Sequence, residues 1–149
     1  MKLVDFFGKD EISLNLKASD KDEVLREMVA LLDLDSDAEE ILHKLLKKRE
    51  NLGSTGIGKG VAIPHCRSLV VDRLRVAYGR RPQGVDFDAV DGKLVHHLFL
   101  IVAPPVEISN QYLPVLGKIA QFCKNPKNLQ KLDQLDSTNG FFEVLDRAE

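Results

Sequence analysis

An α/β (α+β) fold, a mixed β-sheet sandwiched between helices, is predicted by three observations. Two stretches in the first third repeat apolar residues at helical spacing behind helix-start signals. A later stretch, Val95 to Ala103, is uninterruptedly apolar from Leu98 onward, the pattern of a central strand covered on both faces. No internal repeat, linker or low-complexity tract separates these signals, so residues 1–149 are expected to form a single domain. A chain of 149 residues is also long enough for one core, burying roughly two-thirds of its unfolded surface.

The elements follow in order. Ile12 to Leu16 is the first strand candidate. Ser19 with Asp22 forms a Ser-x-x-acid capping box, and Val24, Leu25, Met28, Leu31 and Leu32 give the ensuing helix its buried stripe. Ser36 with Glu39 opens a second helix, whose stripe is Ile41, Leu42, Leu45 and Leu46 and whose His43 is expected to face solvent. Strands are expected at Val61 to His65, Arg73 to Arg80 and Val95 to Ala103; in the last, His96 and His97 face opposite sides, and one of them could approach a site. A third helix spans Gln111 to Lys124 with Pro114 in its first turn, and short helices follow at Lys127 to Leu135 and Asn139 to Arg147.

Composition narrows the function. A formal charge of −2 with mixed signs argues against a nucleic-acid surface, and the KKR run at Lys47 to Arg49 suits the last turn of a helix. Asp5 interrupts any secretory leader and the apolar run Leu98 to Val106 is too short to cross a bilayer, so a cytoplasmic protein without membrane insertion is expected. Cys66 and Cys123 lack the spacing of a disulfide framework or zinc site. Cys66 and His65 are neighbours, and neighbours on a strand point to opposite faces, so they are not expected to share a metal.

The stretch Arg49 to His65, RENLGSTGIGKGVAIPH, carries the chemistry. Gly53, Gly56, Gly58 and Gly60 permit tight turns that can aim backbone N–H groups into an anion-binding concavity, with Ser54 and Thr55 adding hydroxyls. Pro64 biases Ile63 toward extended geometry and sets His65 at the loop's mouth. Gly53 to Lys59 matches a P-loop up to its last position, where Gly60 stands in place of the magnesium-binding Ser or Thr; the loop also follows a helix and enters a strand, the reverse of a P-loop's setting. Nucleotide hydrolysis is therefore not expected. Imidazole side chains titrate near ~6.5, so a histidine here is substantially neutral and nucleophilic near pH 7. Phosphoryl transfer between imidazoles passes through a loose transition state that needs positioning and charge stabilisation, which backbone amides and the Arg49 guanidinium would supply without metal or cofactor.

These residues resemble the type 2 enzyme IIA domains of the bacterial phosphoenolpyruvate-dependent phosphotransferase system, the fructose, mannitol and nitrogen-regulatory group. The likeness rests on Arg49-Glu50, Gly53 to Gly60 and Val61-Ala62-Ile63-Pro64-His65, and extends through DFFGKDEISLNL, KDEVLREMVALL, FDAVDGK and HHLFLIVAP. FDAVDGK and compactness bring it nearest the nitrogen-regulatory branch. The resemblance implies a phosphotransferase/anion transporter-like fold, a phosphoryl group accepted on Nε2 of His65 from an HPr-like phosphocarrier, and stabilisation by Arg49 with Ser54, Thr55 and Gly56 binding phosphate. Its implied partners beyond HPr are a IIB domain or a regulated protein. Transport members carry a second histidine where this chain has Tyr112, which can donate a hydrogen bond but carry no positive charge. Three functions are left open: a signalling phosphoryl carrier, a sugar-uptake IIA passing phosphate to IIB, and a binding module without phosphotransfer.

Overall fold

A computed structural model describes residues 2–148. Its centre is β6 (Val95–Ala103), whose alternate residues supply two cores: Leu98, Leu100 and Val102 pack on one side, Phe99, Ile101 and Ala103 on the other. That double burial is why the run reads as continuously apolar. Along one side of β6 runs antiparallel β5 (Arg75–Val85), which pairs in turn with the short parallel edge strand β1 (Ile12–Ser13). On the other side lie two short strands in one register, β3 (Val61–Ala62) and β4 (His65–Arg67), both parallel to β6, with β2 (Gly56–Gly58) outside β3.

The strand expected at Val61 to His65 is thus broken at Ile63-Pro64 and resumes to Arg67. Proline lacks an N–H for the ladder, while its carbonyl still accepts from Ile101 N at 3.0 Å. The strand expected to reach Leu16 stops at Ser13, although Leu16 N still donates to Arg80 O at 2.8 Å.

Helices α1 (Lys21–Ala30) and α2 (Ser36–Asn51) cover one face through Val24, Leu25, Met28, Leu42 and Leu46. Their caps each differ by one residue from expectation: Asp20 and Asp35, rather than Ser19 and Ser36, accept from the N–H three residues on, at 2.8 Å each. A carboxylate caps as well as a hydroxyl and favours the positive helix end. The other face is covered by α3 (Tyr112–Cys123), α4 (Pro126–Asp133) and α5 (Thr138–Ala148) through Val115, Ile119, Leu132, Phe141 and Leu145.

His43 does not face solvent. It is buried at 3 % exposure, with Nε2 3.1 Å from Asp22 Oδ1, because its α2 position lies with Leu46 and Glu50 on the stripe turned toward α1 and the sheet.

Candidate functional site

α2 ends in Arg49-Glu50, and the two side chains diverge. Arg49 is half-buried and folds over the helix end to donate from Nη1 to Gly53 O at 2.8 Å. Glu50 turns inward, where the Thr55 amide (3.1 Å) and hydroxyl donate to its carboxylate and the Lys21 ammonium of α1 lies 3.0 Å away. Ser54 donates its hydroxyl to Phe87 O at 2.7 Å and accepts from Gly56 N at 2.9 Å. The 53–56 segment is therefore fixed from below by α1, α2 and the Phe87 segment.

The remaining glycines serve a β-hairpin rather than an open concavity. β2 and β3 are joined by Lys59-Gly60, both at positive φ (58° and 79°), as a two-residue hairpin turn requires. Lys59 N donates to Asp91 at 3.0 Å, and Gly60 O accepts from the His96 and His97 amides. The P-loop-like G-K is this hairpin tip. Gly56 must lack a side chain because a Cβ there would lie 2.8 Å from Ala89 Cβ, which explains how FDAVDGK lodges against β2.

His65 opens β4, half-buried, on the face that also bears Ile101, Val76 and α3. Its Nδ1 lies 2.6 Å from Ile63 O. A carbonyl oxygen only accepts, so Nδ1 holds the proton and the lone pair is on Nε2. Tyr112, first residue of α3, packs beside it with ring centroids 6.2 Å apart, and the Arg67 guanidinium lies 4.4 Å over the Tyr112 ring. Burial pushes the Tyr112 phenol up to about 12, against the opposing pull of Arg67 and Arg49. Both arginines therefore bear on the ring beside His65. Glu107 receives the Gln111 and Tyr112 amides at 3.0 and 3.1 Å, holding the start of α3 in place.

The other histidines stand apart. His97 is buried between the Tyr78 hydroxyl and Asp133 Oδ1, each 2.7 Å from a ring nitrogen, and His96 Nδ1 lies 3.2 Å from Arg81 O and Pro82 O. His97 is four residues along β6 from the partner of His65, roughly 13 Å at strand rise, so neither histidine of that pair joins the site. Cys66 points into the α1–α2 core, where burial pushes its thiol up to about 12. Among the described residues no three His, Cys, Asp or Glu side chains are grouped to hold a metal.

The structure thus brings His65, Tyr112 and Arg67 together, while Arg49, bonded to Gly53 O at the end of α2, bears on the Tyr112 ring by its charge. Arg67 and Glu107 are not singled out by the sequence, although the two-residue strand period places Arg67 on the face of His65, and Glu50 enters there only within the Arg49-Glu50 pair, without a role, because its partners are not neighbours in a sequence pattern. Exposed apolar side chains flank these residues along the chain: Leu52 after Arg49, Leu69 after Arg67, Val106 and Ile108 around Glu107, and Leu113 beside Tyr112.

Residues 5–148 match the family described as phosphoenolpyruvate-dependent sugar phosphotransferase system, EIIA 2. The chain is 29% identical over 146 residues to a nitrogen regulatory protein of Bradyrhizobium diazoefficiens, covering 97% of this chain and 95% of that one. It is also 29% identical over 151 residues to the fructose-specific EIIABC component of Bacillus subtilis; there the match takes in 100% of this chain but only 24% of the relative, so the chain spans about a quarter of that protein. The crystal structure of the nitrogen regulatory protein IIA-Ntr from Neisseria meningitidis superposes with a TM-score of 0.86 at 29% identity, covering 96% of this chain and 98% of that one.

Proposed function

This chain belongs to the EIIA 2 family of the phosphoenolpyruvate-dependent sugar phosphotransferase system, and from that premise we propose that it is a cytoplasmic phosphoryl carrier of the nitrogen-regulatory type, loaded on His65. The observation that carries the reading is the Nδ1 contact to Ile63 O, which leaves Nε2 as the nucleophilic nitrogen. The phosphohistidine of an HPr-like carrier delivers its phosphoryl group: the donor's N–P bond breaks, a bond from Nε2 to phosphorus forms, and the proton stays on Nδ1, donated to Ile63 O throughout. No proton need leave the site, and no metal is called for when a guanidinium faces the group.

Arg49 supplies that guanidinium, releasing Gly53 O to engage two phosphoryl oxygens in a planar fork. Ser54, Thr55 and Gly56 form the phosphate-binding loop. Their present bonds to Phe87, Glu50 and one another fix its shape, and a direct contact with the phosphoryl group replaces one of those bonds. The exposed apolar residues around the site offer the carrier a docking rim, and a phosphoryl group adds about two negative charges there, enough to change which regulated protein binds.

A second reading, a IIA step that passes the group to a IIB domain for fructose- or mannitol-type uptake, is favoured by the match of the whole chain to part of the fructose EIIABC component. Tyr112 weighs against it, since a phenol beside His65 cannot supply the positive charge that would help the group leave.

Incubation with phosphoenolpyruvate, enzyme I and HPr tests both. One acid-labile, base-stable phosphoryl group is expected per chain, lost in His65→Gln, with slow discharge onto IIB domains. Label persisting at His43, His96 or His97 contradicts the assignment to His65, rapid discharge onto IIB favours the transport reading, and no uptake at all leaves the binding module.

A further inference from the structure

His65 and Arg67 are alternate residues of β4, so their side chains leave the same face with Cα atoms roughly 7 Å apart. Between them stands Tyr112, its ring 6.2 Å from the imidazole and 4.4 Å beneath the guanidinium. Only one N–H of that guanidinium is engaged, Nη1 donating to Pro104 O at 3.0 Å, and the exposed side chain's other donors bond no described residue. A guanidinium stacked on an aromatic ring beside a nucleophile, with its fork unfilled, is equipped to take phosphoryl oxygens.

Charge points the same way. A phosphoryl group on nitrogen carries about two negative charges near neutral pH, and Arg49 offers one positive charge. Resting on the reading of His65 as phosphoryl acceptor, we propose that Arg67 is the second phosphoryl-binding cation of the site, held ready by the Tyr112 ring and closing from the β4 side while Arg49 closes from α2. Glu107, just before α3, feels the charge of Arg67. Burial pushes the Glu107 carboxyl up, but the Ser109 hydroxyl, the Gln111 and Tyr112 amides and the charge of Arg67 together hold it below the usual range.

The test avoids any protein donor. Phosphoramidate loads the imidazole directly, its P–N bond breaking with loss of ammonia as the bond from phosphorus to Nε2 forms, and the titration of the adduct is followed by 31P NMR. A nearby guanidinium favours the dianion, so the midpoint should rise by about one pH unit in Arg67→Ala and by less in Arg67→Lys. Arg67→Lys keeps the aliphatic stem over Tyr112, so a shift in that variant reads the cation's geometry and not a disturbed fold. Midpoints unchanged in both variants, with the adduct absent from His65→Gln, overturn the role of Arg67 alone. An adduct that survives His65→Gln overturns the reading of the site and this proposal with it.

Discussion

His65 and His97 sit on the same face of the same sheet, four residues apart in register, yet their ring nitrogens are engaged differently. His97 has both nitrogens engaged. Burial holds its pKa below the ordinary value of 6.5 in spite of Asp133, so it is a neutral ring donating from Nε2 to Asp133 while Nδ1 accepts from the Tyr78 hydroxyl. It ties the end of α4 to the central strands. His65 has one nitrogen engaged, by the carbonyl two residues back, and is only half-buried. A buried imidazole with two partners serves as a cross-link, whereas one with a single partner and a lone pair beside solvent keeps the nitrogen that the proposed loading needs.

The contrast is sharpened first at Arg49. Losing one charge-assisted contact in a phosphoryl-transfer site costs about 2 to 4 kcal/mol, a loading rate roughly 30- to 1000-fold lower. Arg49→Lys, which keeps the charge but loses the planar fork, should fall in that range with its circular dichroism unchanged; stopped loading assays at several times would check it. Loading at the parental rate would reduce Arg49 to a helix-end charge. The corresponding change at the other histidine, His97→Gln, should leave loading within about twofold but lower stability by about 1 to 3 kcal/mol in urea unfolding, because the Tyr78 hydroxyl loses its buried partner.

A smaller effect lies in pH. The folded pKa of His97 is depressed, so its contribution to stability is full above the unfolded value of about 6.5 and is lost as the pH falls from there through the folded value. Unfolding midpoints of the unaltered protein should therefore drop below pH 6.5, and the drop should be shallower in His97→Gln. Parallel profiles would mean that His97 does not titrate with folding.

Much of the fold was legible because period-two and period-3.6 apolar patterns report burial directly. β6 runs over the expected residues, and α3, α4 and α5 begin and end within two residues of expectation. His43 was misread because a polar residue on a buried stripe looks like the solvent side until its partner Asp22, on another helix, is known. At the site, His65, Arg49 and Tyr112 stood out through glycine, proline and family pattern. Glu50 did not stand out as the holder of Thr55, nor Arg67 as the cation over Tyr112, since both roles arise from contacts between segments that only folding brings together. Gly58 and Gly60 suggest an anion cradle in sequence, but a pair of positive φ angles at Lys59-Gly60 serves a hairpin equally well, and the pairing of β2 with β3 decides in favour of the hairpin at that end of the loop.

The most direct measurement is the identity of the phosphorylated nitrogen. Long-range 15N–1H correlation on the loaded protein distinguishes the two ring positions, and the Ile63 contact predicts phosphorus on Nε2 of His65 with Nδ1 still protonated. Phosphorus on Nδ1, or on any other histidine, would contradict the account.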